Sequence, residues 1–284
     1  MPIKIYTESP FDFTRHSTIG CGGFAHLAYY PQNEEEVLYL LSTIQDDWIA
    51  VGNLSNVLPF DEGTKKTVIC TKKLTEIREE REGIFVAAGV TSGALLRYMK
   101  DVGYTGAEFF AGIPCMLGGM LYMNGGAGGK YVAEIVKSVR VIRNGKVLNL
   151  PVSDCEYAYK NSVFMRTEDF ILGALLHLEK SDKQAVEGEI HRWYSKRAHL
   201  PKGKSMGCVF KNPQGGSAGA LIEGAGLKGV RVGGAKVSEL HANFIINDKN
   251  ATAKDICLLI QKIKSAVYEK YGVVLEEEIR YIKE

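Results

Sequence analysis

Ile84-Phe85-Val86-Ala87-Ala88-Gly89-Val90-Thr91-Ser92-Gly93-Ala94-Leu95-Leu96-Arg97-Tyr98-Met99-Lys100-Asp101-Val102-Gly103 changes its hydrophobic period halfway along. The first five residues are apolar without a break, which suits a short buried strand, and Gly89 stops it. Ser92 then stands where a helix cap belongs, Leu95, Leu96, Met99 and Val102 share one helical face, and Gly103 closes the helix. Upstream, 34–44 reads as a helix with acidic residues in its first turn and Val37, Leu40, Leu41 and Ile44 on one face. Asp47-Trp48-Ile49-Ala50-Val51 and Thr67-Val68-Ile69-Cys70 read as further strands. This βαβ-like order predicts an α+β or α/β domain running to about Glu179. An amphipathic helix over 184–196 follows, and Pro201, Gly203 and Gly207 then loosen the chain. The expected domains are therefore 1–182 and 183–284. In the second, Thr252 and Asp255 make a capping-box-like start to a helix whose Ile256, Leu259, Ile260, Ile263 and Val267 recur at helical spacing. Gly272 ends it, Val273-Val274-Leu275 is expected to begin a strand, and 241–247 is another strand candidate.

A length of 284 residues exceeds one typical domain, in keeping with that division. The 45% hydrophobic and 24% charged residues suit a globular protein with a sizeable core. The formal net charge is only +2 and the basic residues are scattered, so neither nucleic acid nor an acidic membrane surface is an expected partner. Cys21, Cys70, Cys115, Cys155, Cys208 and Cys257 have no C-x-x-C and no zinc-like spacing, so no metal is expected. The first thirteen residues are too polar for a leader, and no apolar run approaches the ~20 residues of a membrane span. The expectation is a reduced cytoplasmic monomer.

Two distant fragments suggest chemistry. Gly207-Cys208-Val209-Phe210-Lys211-Asn212-Pro213 puts a thiol in a short turn-flanked strand beside a lysine and an amide. Leu275-Glu276-Glu277-Glu278-Ile279-Arg280 puts carboxylates beside an arginine. A weak acid, a cation and a carboxylate can together protonate a carbon and hold the charge that forms on the way. Read alone, Cys208 fits a small buried residue equally well, and the glutamates fit a solvated strand edge. Glycines cluster at 20–23, 112–119, 125–129 and 215–216. Gly20-Cys21-Gly22-Gly23 lacks the preceding strand and following helix of a dinucleotide-binding turn, and no phosphate-binding G-x-x-x-x-G-K-[ST] is present. The central run, Phe109-Phe110-Ala111-Gly112-Ile113-Pro114-Cys115-Met116-Leu117-Gly118-Gly119 with Met123-Asn124-Gly125-Gly126-Ala127-Gly128-Gly129, suits either a pyrophosphate cradle or tightly packed turns.

In order along nearly the whole chain, these fragments resemble the UDP-N-acetylenolpyruvoylglucosamine reductase family, flavoenzymes that make UDP-N-acetylmuramate for bacterial peptidoglycan. The resemblance is carried by His16-Ser17-Thr18 through Gly22-Gly23, the 52–61 loop, Gly112-Ile113-Pro114, Gly118-Gly119 and Met123-Asn124-Gly125-Gly126-Ala127. It continues through Tyr159-Lys160-Asn161-Ser162, Val209-Phe210-Lys211-Asn212-Pro213, Gly226-Leu227-Lys228-Gly229, Gly233-Gly234-Ala235, His241-Ala242-Asn243 and 275–280. The short stretch after Ser162 is similar to the subtype without an extra tyrosine-bearing loop.

The resemblance implies an α+β fold, with an FAD-binding domain of the peptidoglycan-reductase/vanillyl-alcohol-oxidase type and a smaller α+β substrate-binding domain. It implies FAD, with its pyrophosphate near Gly52, Asn53, Ser55 and Asn56. The flavin ring would lie near Gly112, Ile113, Pro114, Cys115, Gly118, Gly119, Asn124, Gly126 and Ala127. NADPH would reduce the flavin, and the UDP-sugar would then receive a hydride and a proton. Cys208 stands where the family has a serine proton donor; a thiol at its reference pKa of about 8.5 is mostly protonated at neutral pH. Glu278 aligns with the carboxylate that assists enolate formation. Lys160 aligns with an arginine that grips the substrate carboxylate and lacks its bidentate fork. Tyr159, Lys211, Asn212 and His241 are the implied substrate contacts. Lys160 also fits an exposed surface lysine, and His241 a structural histidine.

Two further positions depart from the pattern. Leu54 replaces a glycine where a left-handed backbone is expected, so the residue is strained or the loop has moved. Cys115-Met116 replaces Gly-Ser beside the flavin. The competing expectations are a divergent binding protein without turnover and a flavin oxidase of related architecture.

Overall fold

The computed structural model describes residues 3–284. The chain divides into two compact units that are interleaved rather than consecutive. One comprises residues 3–8, Ala28–Asn53 and Thr67–Ala198; the other Ser9–Leu27, Leu54–Lys66 and His199–Glu284.

The first unit is built on two larger sheets. A four-stranded sheet has the order Tyr6–Glu8, Ala28–Tyr30, Thr67–Cys70, Trp48–Val51, with its first pair antiparallel and the others parallel. The helix Glu34–Thr43 starts on Asn33, whose side chain accepts the Glu36 N–H at 2.9 Å, and buries Val37 and Leu40. An antiparallel five-stranded sheet runs Lys146–Pro151, Val136–Arg143, Phe170–Leu176, Gly83–Ala87, Ile77–Glu80. The period change at 84–103 therefore marks a real strand and helix, although Thr91 rather than Ser92 is the N-cap of Ser92–Val102. Thr91 takes the Ala94 N–H, while the Ser92 hydroxyl donates to the Ile113 carbonyl at 2.6 Å. Gly89 is required by close approach, since a Cβ there would lie 1.9 Å from the Thr71 carbonyl oxygen. The helix Lys183–Arg197, expected to open the second domain, packs Val186, Ile190 and Trp193 into this unit's core.

The second unit is built on an antiparallel sheet ordered Ser205–Cys208, Phe244–Asn247, Ala235–Val237, Arg231–Val232. The helix Ala253–Tyr271 has the expected Thr252–Asp255 capping box, left-handed Gly272 stop and buried Ile256, Leu259, Ile260, Ile263 and Val267. Segments from early in the chain join this unit through long-range hydrogen bonds. Asn247 Nδ2 donates to the Ile19 and Gly20 carbonyls (2.9 and 3.1 Å), and Asp61 takes the Ala253 and Lys254 N–H groups. The strand expected at 273–275 forms later, as Arg280–Ile282, parallel to Val57–Pro59. His241-Ala242-Asn243 is a turn leading into Phe244–Asn247. Among the described residues no helix is long and apolar enough to cross a membrane.

Candidate functional site

In the first unit, the loop residues singled out from sequence are pinned by hydrogen bonds to their own carbonyls. Asn53 Nδ2 donates to the Pro114 carbonyl at 2.7 Å, the Cys115 N–H to Ile113, and the Ser92 N–H to Cys115. These bonds bring Asn53 beside the 113–115 turn. Gly52 directly follows the strand Trp48–Val51 and faces Met116; a Cβ there would lie 3.4 Å from the Met116 sulfur. Burial pushes the Cys115 thiol up to about 12, so it stays protonated and inert. The helix Leu117–Met123 begins with Leu117 and Gly118 N–H donating to Val90 and Ala88. A Cβ on Gly118 would crowd Ala88 at 3.0 Å, whereas one on Gly119 meets nothing within 4 Å. Gly119 therefore presents open backbone.

Asn124 ends that helix in a left-handed conformation. Its amide is used within the unit: Nδ2 donates to the Ala158 carbonyl at 2.9 Å and Oδ1 accepts the Ala133 N–H. Gly126 faces the Lys130 carbonyl across a short hairpin whose other inner residue is Ala127. Ala158 and Asn161 exchange backbone hydrogen bonds of 3.1 and 3.2 Å, which puts Tyr159 and Lys160 at the tip of a tight turn. Lys160 has φ +53° there, a left-handed conformation uncommon for a long side chain. Tyr159 is 43% exposed.

In the second unit, Leu54 has φ +50° and is buried. The loop has kept the turn its sequence made questionable, and the leucine bears the strain. Among the described residues, the backbone N–H groups of Leu54, Ser55 and Asn56 donate to no protein acceptor. Successive unspent amides beside a left-handed residue form a nest that suits an anion such as a pyrophosphate. Asn56 has a second task, because its side chain donates to the Glu278 carbonyl at 3.2 Å.

Cys208 is half-buried and is the last residue of its strand, opposite Phe244. Beyond it the chain becomes a rail with two occupied edges. On one edge, the Val209 N–H donates to the Asn243 carbonyl and the Asn243 side chain bonds both backbone groups of Phe210, at 2.9 and 2.8 Å. On the other, the Glu278 N–H donates to Val209 and the Lys211 N–H to Glu276, each at 2.8 Å. The structure thus sets Lys211 and Glu278 on one short strand pairing, while Cys208, one residue before it, pairs with Phe244.

The three glutamates separate by partner. Glu276 pairs with Lys211 Nζ at 3.0 Å and is 75% exposed. Burial pushes the Glu277 carboxyl up, but the Tyr281 hydroxyl (2.6 Å) and Lys264 ammonium (2.9 Å) outweigh it and hold the group below the usual carboxylate range. Glu278 is the one whose backbone is fixed through both N–H and carbonyl. Asn212 accepts the Ala218 N–H at 3.0 Å, beside the helix Ala218–Gly224. His241 Nδ1 accepts the Asn243 N–H at 3.3 Å, which leaves a proton on Nε2 in the neutral ring. Burial first, then the neighbouring His199, lowers the His241 pKa.

Asn243, within the quoted His241-Ala242-Asn243 fragment, is the residue whose contacts with Val209 and Phe210 the sequence concealed. Its signal was an amide placed directly before the apolar Phe244-Ile245-Ile246.

A family model described as UDP-N-acetylenolpyruvoylglucosamine reductase, C-terminal domain, matches residues 198–282, and one described as FAD binding domain matches residues 25–150. The chain is 36% identical over 277 residues to the UDP-N-acetylenolpyruvoylglucosamine reductase of Geotalea uraniireducens, covering 94% of this chain and 91% of that protein. It is 33% identical over 287 residues to that of Bacillus subtilis, covering 98% and 94%. The crystal structure of the reductase from Thermus caldophilus is similar with a TM-score of 0.86 at 30% identity, over 99% of this chain and 100% of that one.

Proposed function

The chain belongs to the UDP-N-acetylenolpyruvoylglucosamine reductase family, and from that we propose an NADPH-dependent reduction of UDP-N-acetylglucosamine enolpyruvate to UDP-N-acetylmuramate, with Cys208 as proton donor. The protein is an FAD-dependent oxidoreductase of peptidoglycan precursor synthesis. Its residues fit the cofactor: the unspent amides of 54–56 suit the pyrophosphate, and the open backbone at Gly119 beside the pinned 113–115 turn suits the ring. When bound, FAD supplies the two-electron relay from nicotinamide to substrate.

Cys208 gives the proton that the neighbouring carbon needs when the terminal vinyl carbon gains a hydride. The C=C becomes a C–C single bond with one new C–H on each carbon, NADPH becomes NADP⁺, and the thiolate recovers its proton from water. Glu278 orients the substrate and assists formation of the enolate, and Lys160 binds its carboxylate. Tyr159, Lys211, Asn212 and His241 contact the sugar nucleotide. The same reading takes the protein as a cytoplasmic monomer.

The observation that carries this reading is the strand pairing at Val209, one residue from Cys208, which fixes the backbone of Glu278. Half-reaction kinetics test it. Cys208→Ala should leave flavin reduction by NADPH intact and slow reoxidation by the enolpyruvyl sugar nucleotide by ~10²- to 10⁴-fold, while Cys208→Ser retains turnover. Equal loss of both half-reactions in a folded Cys208→Ala protein would remove Cys208 from the mechanism.

A further inference from the structure

We propose that Asn243 is the positioning residue of the protonating strand, setting Cys208 and Glu278 together through the backbone of Val209 and Phe210. This rests on the reading of those two groups as the proton-handling pair. The ladder between Ser205–Cys208 and Phe244–Asn247, bulged between Ser205 and Cys208, ends at the Cys208–Phe244 pair. From there a side chain replaces a strand neighbour. Asn243 Oδ1 accepts the Phe210 N–H, its Nδ2 donates to the Phe210 carbonyl, and its own carbonyl accepts the Val209 N–H. The residue is 3% exposed, so none of these bonds can be exchanged for solvent in place. The Val209 carbonyl in turn carries Glu278, so a shift of the rail displaces the thiol and the carboxylate at once.

Asn247, at the far end of the strand that Asn243 precedes, supplies a matched control. It is also buried, and its side chain makes three hydrogen bonds, to Ile19, Gly20 and Ala251, away from Cys208. A general packing role predicts that both asparagines act alike; a positioning role separates them.

The experiment uses FAD-loaded protein and measures both half-reactions by stopped flow, with the alkylation rate of Cys208 by iodoacetamide read by mass spectrometry. Asn243→Ala is expected to slow reoxidation about a hundredfold in the rate constant rather than in substrate affinity. It should leave NADPH reduction within about twofold and change the alkylation rate, while Asn247→Ala leaves reoxidation and alkylation alone. Asn243→Asp keeps the volume and the Phe210 N–H bond but sets an oxygen against the Phe210 carbonyl. It should slow reoxidation about tenfold, and it carries the test where the alanine variant does not fold. The inference falls if both half-reactions decline together, if Asn247→Ala reproduces the effect, or if reoxidation and alkylation are unchanged in the Asn243 variants. A Cys208→Ala protein that reoxidises normally overturns the catalytic reading instead, which separates the two failures.

Discussion

Both units use side-chain amides, Asn53 and Asn124 in the first and Asn243 and Asn247 in the second, but they differ in what else holds their candidate groups. In the first, backbone approaches backbone where side chains are missing: Gly89 against Thr71, Gly118 against Ala88, Gly126 against Lys130. In the second, buried side-chain amides hold strands that no ladder reaches: Asn243 on Phe210, Asn247 on Ile19 and Gly20. A glycine contact fails by collision, with little room for partial loss. An amide clamp fails bond by bond, each net bond worth about 1 kcal/mol and each buried group left unsatisfied costing roughly 1–3 kcal/mol. Changes at the crowded glycines of the first unit should therefore cost fold and cofactor together, and changes at the amide clamps of the second should cost geometry first.

The sharpest break in that comparison is Gly126→Ala. Its Cβ would meet the Lys130 carbonyl oxygen at 1.9 Å, a backbone atom in its own hairpin, so the hairpin must open. A loss of about 3 kcal/mol is expected, seen as a lower thermal midpoint with release of FAD. Gly119→Ala is the counterpart, because nothing lies within 4 Å of the added methyl. Its midpoint without FAD should equal that of the unaltered protein, while FAD affinity falls. Unchanged affinity would move the flavin away from Gly119.

Leu54 tests which of two costs is larger. Its left-handed backbone costs roughly 1–2 kcal/mol, which glycine would relieve. The side chain is only 4% exposed, and truncating a buried leucine costs roughly 2–5 kcal/mol. Burial wins, so Leu54→Gly should lower stability by about 2 kcal/mol in denaturant titration despite restoring the family's glycine. A stabilised variant would mean that the side chain is not held in the interior.

This contrast explains what could be read from the chain. The period change at 84–103 and the capping box at Thr252 are local and became the elements they announced. Glycine clusters also announce themselves, because only glycine permits such approaches. The interleaving of 9–27 and 54–66 with the C-terminal region depends on bonds such as Asn247 to Ile19, between residues far apart in sequence, which no periodicity encodes. The strand expected at 273–275 failed for a related reason. Val274 is 72% exposed, and the pairing partner for Arg280–Ile282 lies at Val57–Pro59. The role of Asn243 could not be seen until Phe210 stood opposite it.

Lys160 offers a smaller effect. Its turn is closed by two backbone bonds and tied to Asn124 through Ala158, so the cation's base is fixed while its ammonium offers only a point charge. Lys160→Arg should lower KM for the enolpyruvyl sugar nucleotide about fivefold with little change in kcat. Steady-state kinetics decide it, and a higher KM would show that the site is shaped for lysine.

The smallest expected effect comes from His241 and links the amide clamp to pH. Burial first, then the neighbouring His199 and Lys228, lower its pKa; its own backbone bond and Glu223 oppose them without prevailing. The folded protein therefore binds this proton less readily than the unfolded chain, whose histidine titrates near about 6.5. The neutral ring contributes its full stability above that pH. On acidification the contribution declines from about 6.5 down through the lower folded value, where the loss is complete. Protonation of Nδ1 would also remove the acceptor for the Asn243 N–H, so the same titration loosens the clamp that holds Phe210. His241→Gln should flatten the fall in thermal midpoint between pH 7 and pH 5 compared with the unaltered protein. Equal slopes in the two proteins would assign that acid sensitivity to other groups and leave the clamp independent of pH.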